Sequence, residues 1–366
     1  MPQLREFGES LHIAGIAQID LETELEWFWK RWHQTFNDPQ FAEYFDVDPE
    51  YPSAPNAKFL APVRGWGSMV FKRLFRDLEI TNHPGAVATK IRGLLLKTLA
   101  SSRRSIHVAS NMNQVLGAAT PGPRTFPWNF LYQDPEPGSR NWQDGFWGFR
   151  HHIEEAFTPP PSFKGLRPNP TILATIDRRN DPRGYHSDPT HPFHAADKSC
   201  VVVEARDAQD LLRRLSDTDA DVIYHFGHHY DRGSVVDRRL RWEENEVTLY
   251  DVESSGCPQY RSDSVLVFLN ACESGACDPT MSDTFLGRLC TRRKTHCIAT
   301  WTRTPWSVGA RFSKSFWRLF LKERRNAGEA VLEARRELRD DAHRPNPLGL
   351  LYCYFGSLLL EAGNAR

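Results

Sequence analysis

The chain has 366 residues, room for one large domain or two of ordinary size and for a substantial buried core. Lysine plus arginine and aspartate plus glutamate both total 46, so the formal charge is zero and no basic field exists to recruit nucleic acid or an anionic membrane. The first ten residues carry Arg5, Glu6 and Glu9 around no apolar stretch, and no apolar run approaches the ~20 residues of a membrane span. A soluble, cytoplasmic protein acting on a protein or small molecule is the expectation.

Seven cysteines, an odd number scattered between Cys200 and Cys353, do not form the dense paired pattern of a secreted disulfide scaffold. They are expected to be reduced thiols, mostly small core residues. Residues 1–104 read as a helical region. Leu21, Leu25, Phe28, Trp29, Trp32 and Phe36 recur at three- and four-residue steps, and helical patterns follow a Pro-rich loop around Val70–Leu78 and Ala86–Ala100. From Ser105 the character changes. Ile106-His107-Val108 suits a short strand, and Phe126-Pro127-Trp128-Asn129-Phe130-Leu131-Tyr132 is an aromatic cluster between Pro/Gly turns. Residues 105–161 are expected to form one segment ending in the linker Pro159-Pro160-Pro161, and residues 162–366 a second.

That second segment alternates strand and helix. Strands are expected at Thr171–Ile176, Cys200–Glu204, Val222–Phe226, Val265–Asn270 and His296–Thr300, with helices at Ala208–Leu215 and Glu329–Asp341. Asp278 before Pro279 offers a cap for a helix bearing Phe285, Leu286 and Leu289. Thr304 before Pro305 offers one for a helix with Val308, Phe312, Phe316, Leu319 and Phe320 on one face. Tyr230 to Asp263 reads as a long polar insertion, and Leu350–Leu360 as a strand closing an edge. The pattern predicts an α/β fold with a mainly parallel central sheet flanked by helices.

Two of these strands stop at reactive side chains. Tyr224-His225-Phe226-Gly227-His228-His229 ends one and Leu269-Asn270-Ala271-Cys272-Glu273-Ser274-Gly275 ends the next. Sites in open α/β sheets are built at the carboxyl ends of strands, and a thiol beside an imidazole is the pairing that nucleophilic attack on a carbonyl needs. A caspase signature places a histidine ~50 residues before an alanine–cysteine pair; here the interval from His228 to Cys272 is 44 (272 minus 228).

The sequence resembles the CHAT domain family, caspase-like cysteine peptidases related to separases and metacaspases. Phe126–Tyr132 is similar to the family's P-W-E-L-L-Y segment, with Asn129 in place of the glutamate. Tyr224–His228 resembles its histidine strand, Leu269–Gly275 its A-C-E-S-G turn, and Ile298–Trp301 and Pro347–Gly356 its later segments. The resemblance implies a caspase-like sandwich with a pseudo-caspase half and an active half, and cleavage of a protein substrate under a sensor or activator protein in a signalling or defence pathway. It makes Cys272 the nucleophile and His228 the proton-transfer partner, with the backbone N–H groups of Cys272 and His229 holding the oxyanion.

Where the family has glycine after the histidine, this chain has His229. A β-carbon is costly at positive φ, so a degenerate pseudoprotease serving as an interaction scaffold is the rival expectation. The resemblance also places Trp301 and Arg303 where substrate is bound. Arg303 would suit an acidic residue and Trp301 an apolar one, beside the plainer reading of a core tryptophan and a solvated arginine; Asp278 and Asp283 would suit a basic one. No metal or other cofactor is expected. His228 and His229 alternate along a strand and cannot share an ion, and neither a G-x-G-x-x-G turn nor a P-loop is present.

Overall fold

The computed structural model describes residues 2–6, 9–12, 62–72, 105–109, 127–134, 142–156, 165–194, 200–230, 238–256, 258–275, 284–290, 295–340, 347–357 and 360–363. The helical patterns expected within residues 21–36 and 86–100 lie outside them, whereas residues 62–72 are helical.

Thirteen described strands follow in chain order: β1 (Pro2–Glu6), β2 (Glu9–His12), β3 (Ser105–Ala109), β4 (His152–Ala156), β5 (Thr171–Ile176), β6 (Val201–Glu204), β7 (Val222–Phe226), β8 (His228–Tyr230), β9 (Arg239–Trp242), β10 (Asn245–Thr248), β11 (Val265–Asn270), β12 (Thr295–Thr300) and β13 (Tyr352–Phe355). Ten of them make one sheet in the order β2-β1-β3-β4-β13-β12-β11-β7-β5-β6. Pairing is parallel from β12 through β11, β7 and β5 to β6, and again between β3, β4 and β13. Val265 to Leu269 and Val222 are wholly buried, which is why these strands read as unbroken apolar runs rather than alternating ones. Helices flank the sheet. The Trp306–Trp317 helix buries Val308, Phe312 and Phe316 and continues into a π-helical turn, Arg318–Lys322, that buries Leu319 and Phe320. This is an α/β fold with a mostly parallel central sheet between helices.

Three expectations are corrected. The segment expected to close an edge gives β13, which lies inside the sheet, antiparallel to β12 and parallel to β4. Its aromatic residues suit a strand covered on both faces, and Tyr352 stacks on Phe312 with centroids 3.5 Å apart. The described part of the supposed insertion after Tyr230 holds regular elements: β9 and β10 join β8 in a second, three-stranded sheet, and the helix Leu249–Ser254 follows with a capping box of Thr248 and Asp251. The helix caps also shift. Thr284, not Asp278, caps Phe285–Leu289 by accepting from the Gly287 N–H, and Pro305 occupies the cap position of the Trp306–Trp317 helix while Thr304 Oγ1 donates to the Thr302 carbonyl.

The start of β13 is held by buried polar groups. Asn129, the residue standing where the resemblance has glutamate, donates its amide hydrogens to the carbonyls of Leu350 (3.1 Å) and Tyr352 (2.6 Å). Arg335 donates to Gly148 (3.2 Å) and, again, Tyr352 (2.6 Å).

Candidate active site

At β5 the chain order reverses. The chain runs outward to β6 and then back past β5 to β7 and β11, so the carboxyl ends of β5 and β7 flank a topological switch point. β7 ends at Phe226 and the chain changes sheets at Gly227. A β-carbon there would meet the Arg241 carbonyl oxygen at 2.4 Å and the His225 ring at 2.6 Å, so glycine is required for the crossing. His228 begins β8, paired with Arg241. Behind it His225 is buried, with Nε2 3.3 Å from the His228 carbonyl and Nδ1 2.7 Å from Thr175 Oγ1. A carbonyl only accepts, so Nε2 carries the proton and Nδ1 accepts from the threonine hydroxyl. Burial pushes the His225 pKa down to about 4 and keeps the ring neutral.

β11 and β7 are adjacent and in register, Asn270 opposite Phe226. Cys272 and His228 each stand two residues beyond that pair, at the rims of strands that neighbour one another at ~4.8 Å. Asn270 is itself buried. It donates to the Gly309 carbonyl (2.9 Å) and accepts from the Tyr352 hydroxyl (2.7 Å), fixing the strand end to the Trp306–Trp317 helix and to β13.

The turn that carries Cys272 is riveted to β12. The Ala271 carbonyl accepts from Thr300 Oγ1 (2.6 Å), the Glu273 N–H donates to Thr302 (3.2 Å) and the Gly275 N–H to Thr300 (2.8 Å). Ser274 Oγ donates to Leu269 (2.7 Å) and accepts from the Thr300 N–H (3.1 Å), a structural role. Glu273 takes φ = +57°, a left-handed conformation that costs a residue with a β-carbon ~1–2 kcal/mol. The Cys272 N–H has no backbone acceptor among the described residues.

Cys272 and His228 meet the same short segment from two directions. The sulfur lies 3.9 Å from the Thr304 carbonyl, and the His228 ring stands edge-on to Trp306 at 4.7 Å while stacking on Tyr230 at 5.4 Å. Burial pushes the Cys272 thiol up from its ordinary value, opposed by the Thr304 backbone and by Arg303, while Glu273 reinforces it. Burial also pushes His228 down; Asp177 opposes this and Arg241 adds to it. Both shifts favour an uncharged thiol beside an uncharged imidazole at rest.

The other expected residues fall as follows. Trp301 is wholly buried, with its ring against Phe355 at 6.3 Å, so it belongs to the core and offers substrate no surface. Arg303 is exposed and acts on Cys272 through its charge. His229 is extended backbone in β8, opposite Leu240, and not in the left-handed region; the strain expected of it falls instead on Glu273. Its ring Nδ1 lies 3.1 Å from the Cys272 carbonyl. Asp278 and Asp283 lie outside the described residues. Among the described residues no group of three His, Cys, Asp or Glu side chains could hold a metal ion, and no helix is long and apolar enough to cross a membrane.

Two residues at the site went unnoticed in the sequence. Asp177 follows β5 as His228 follows β7, so the same strand-end rule points to it. It is buried, and its carboxylate accepts from the backbone of Arg179 (3.2 Å) and Asn180 (3.4 Å). Trp306 carries no such signal, because its cap-and-proline context reads only as a helix start.

The model of peptidase family C25 matches residues 96–356, most of the chain. No curated protein matches. Among solved structures, the Arg-specific cysteine proteinase gingipain R is 9% identical over 86% of this chain and 80% of its own, with a TM-score of 0.45. The complex of the Porphyromonas gingivalis RgpB pro- and mature domains is 10% identical over 83% and 78%, at 0.41. The separase–securin complex of Saccharomyces cerevisiae is 12% identical over 95% of this chain but 23% of its own, at 0.37. With a cysteine and a histidine at one sheet rim and a family model covering that rim, this chain belongs to peptidase family C25 and is a cysteine peptidase.

Proposed function

We propose that the chain is an endopeptidase of CHAT type that cuts a protein substrate through a Cys272–His228 dyad. The observation that carries this reading is the register of β7 and β11, which sets both residues two positions past one strand pair and against one segment, Thr304–Trp306.

The chemistry follows from the resting charges. The raised thiol and lowered imidazole argue against a preformed thiolate–imidazolium pair. His228 therefore takes the Sγ proton as sulfur attacks the substrate carbonyl, and returns it to the leaving amine as the carbon–nitrogen bond breaks. Water, deprotonated by the same ring, then opens the acyl-enzyme and restores the thiol. The Cys272 N–H and the His229 N–H are the proposed donors to the oxyanion. Work in a signalling or defence pathway, on few substrates and under an activator, rests on the CHAT-like motif Leu269–Gly275 alone.

The test is cleavage of a proteome-derived peptide library by wild type, Cys272→Ala and His228→Ala, with labelling by an electrophilic peptide ketone. Wild type should cut a defined set of sites that both variants leave whole, and the label should sit on Cys272. Cleavage that survives in Cys272→Ala overturns the dyad; no cleavage by any form, with activating partners supplied, favours the scaffold.

A further inference from the structure

His229 stands where the resembled family has glycine, and alternation along β8 turns its side chain away from His228. While His228 meets Trp306, the His229 ring faces the nucleophile turn, Nδ1 3.1 Å from the Cys272 carbonyl and its edge on Phe285 at 6.0 Å. We propose that His229 is a positioning residue: its Nδ1–H, donated to the Cys272 carbonyl, ties the turn bearing the thiol to the strand bearing His228.

The turn's other hydrogen bonds described above run within itself, to β11, or to β12 and the residues just after it, Thr302 and Thr304. They hold Cys272 against one side of the sheet and leave its spacing to β8 to whatever bridges the two strands. The His229 bond is such a bridge, made at the nucleophile's own peptide unit. β8 can act as the fixed end of the tie because it is pinned by β9, in register from His228 opposite Arg241 to Tyr230 opposite Arg239.

The acceptor is a carbonyl, so Nδ1 must carry a proton, and it does so both in the neutral Nδ1–H tautomer and in the imidazolium. The tie therefore needs no particular charge on the ring, only a proton at Nδ1. A glycine at this position would keep the strand and lose the bond. Removing His229 should lower turnover by the same factor at every pH, which separates positioning from proton transfer.

This inference rests on the reading of Cys272 as nucleophile, and its test uses a readout that does not. Hydrogen–deuterium exchange of the Ala271–Gly275 amides should quicken ~tenfold in His229→Ala and His229→Gly, the size expected from one lost hydrogen bond. It should return toward wild type in His229→Asn, whose side-chain amide places a donor near the position of Nδ1. In parallel, kcat should fall ~tenfold in the Ala and Gly variants with KM within about twofold and the acid limb of the pH profile unmoved, and recover in Asn. Unchanged exchange in His229→Ala, or exchange in His229→Asn as fast as in His229→Ala, overturns the tie. A wild-type chain that cuts no peptide and takes no label at Cys272 sinks the dyad reading and leaves the exchange result to judge the tie.

Discussion

At the start of β13, Asn129 and Arg335 are 2% and 1% exposed, and both donate to the same Tyr352 carbonyl. At the rim of β7 and β11, His228 and Cys272 are half-buried, and the contacts described for their side chains are aromatic rings, a long thiol contact and neighbouring charges. Both regions bring polar groups into an apolar fold. At the start of β13 they are spent on satisfying backbone carbonyls, which fixes that strand's entry; at the rim their protons stay available. A buried polar group that is fully bonded costs much to remove and does no chemistry, whereas a loosely bonded one is cheap to remove and reactive.

The widest separation between the regions should appear in Cys272→Ala. Peptidase activity should drop by roughly 10⁴-fold or more while the denaturation midpoint stays near wild type. His228→Ala should follow with a loss of roughly 10²–10⁴-fold, again with little change in stability. A large loss of stability in either would mean that the rim is structural after all.

Acid should strain the core as well as the rim. Burial pushes His191 down to about 2, aided by the charges of His186 and His194, and pushes both His225 and His296 down to about 4. These folded-state values lie below the ordinary 6.5, so the unfolded chain binds protons first and stability present above pH 6.5 is lost as pH falls toward them. Each ring should remove about 2 kcal/mol by pH 5, measurable as a falling urea midpoint. His228 is lowered too, so the acid limb of kcat/KM, read in brief assays, should also lie below 6.5. A limb above 6.5 would imply a histidine stabilised in its charged form.

Asn129→Ala removes one donor from each of the buried Leu350 and Tyr352 carbonyls, and Arg335 still serves Tyr352. It should cost about 2 kcal/mol with kcat nearly intact, checked by chemical denaturation beside steady-state kinetics. The smallest effects are electrostatic. Glu273→Gln should move the pH midpoint of Cys272 alkylation downward and Arg303→Gln upward, each by a few tenths of a unit at most, because Arg303 is exposed and screened.

Much of the fold could be read from the chain because parallel strands buried on both faces leave continuous apolar runs, as at Val222–Phe226 and Val265–Asn270. The strand at residues 352–355 was legible but its place was not. Edge and centre differ by what pairs on the second side, and for β13 that partner is β4, some two hundred residues earlier. The β8–β10 sheet was hidden for a related reason: its strands are three or four residues long and, Arg239–Trp242 apart, carry no period-two alternation, so they look like loop until they pair.

The same division runs through the site. By itself the sequence determined which residue types end the strands: a histidine after Gly227, a cysteine in a tight turn, a carboxylate after Ile176. Those follow from local pattern, since strand ends and turns are encoded over a few residues. Only the tertiary structure decided that Trp301 lies in the core, that Glu273 and not His229 bears the left-handed backbone, and that the His229 ring reaches the Cys272 carbonyl. Each depends on which side of a strand faces which neighbour. That is set by register between segments far apart in the chain, where a shift of one residue turns every side chain to the opposite face.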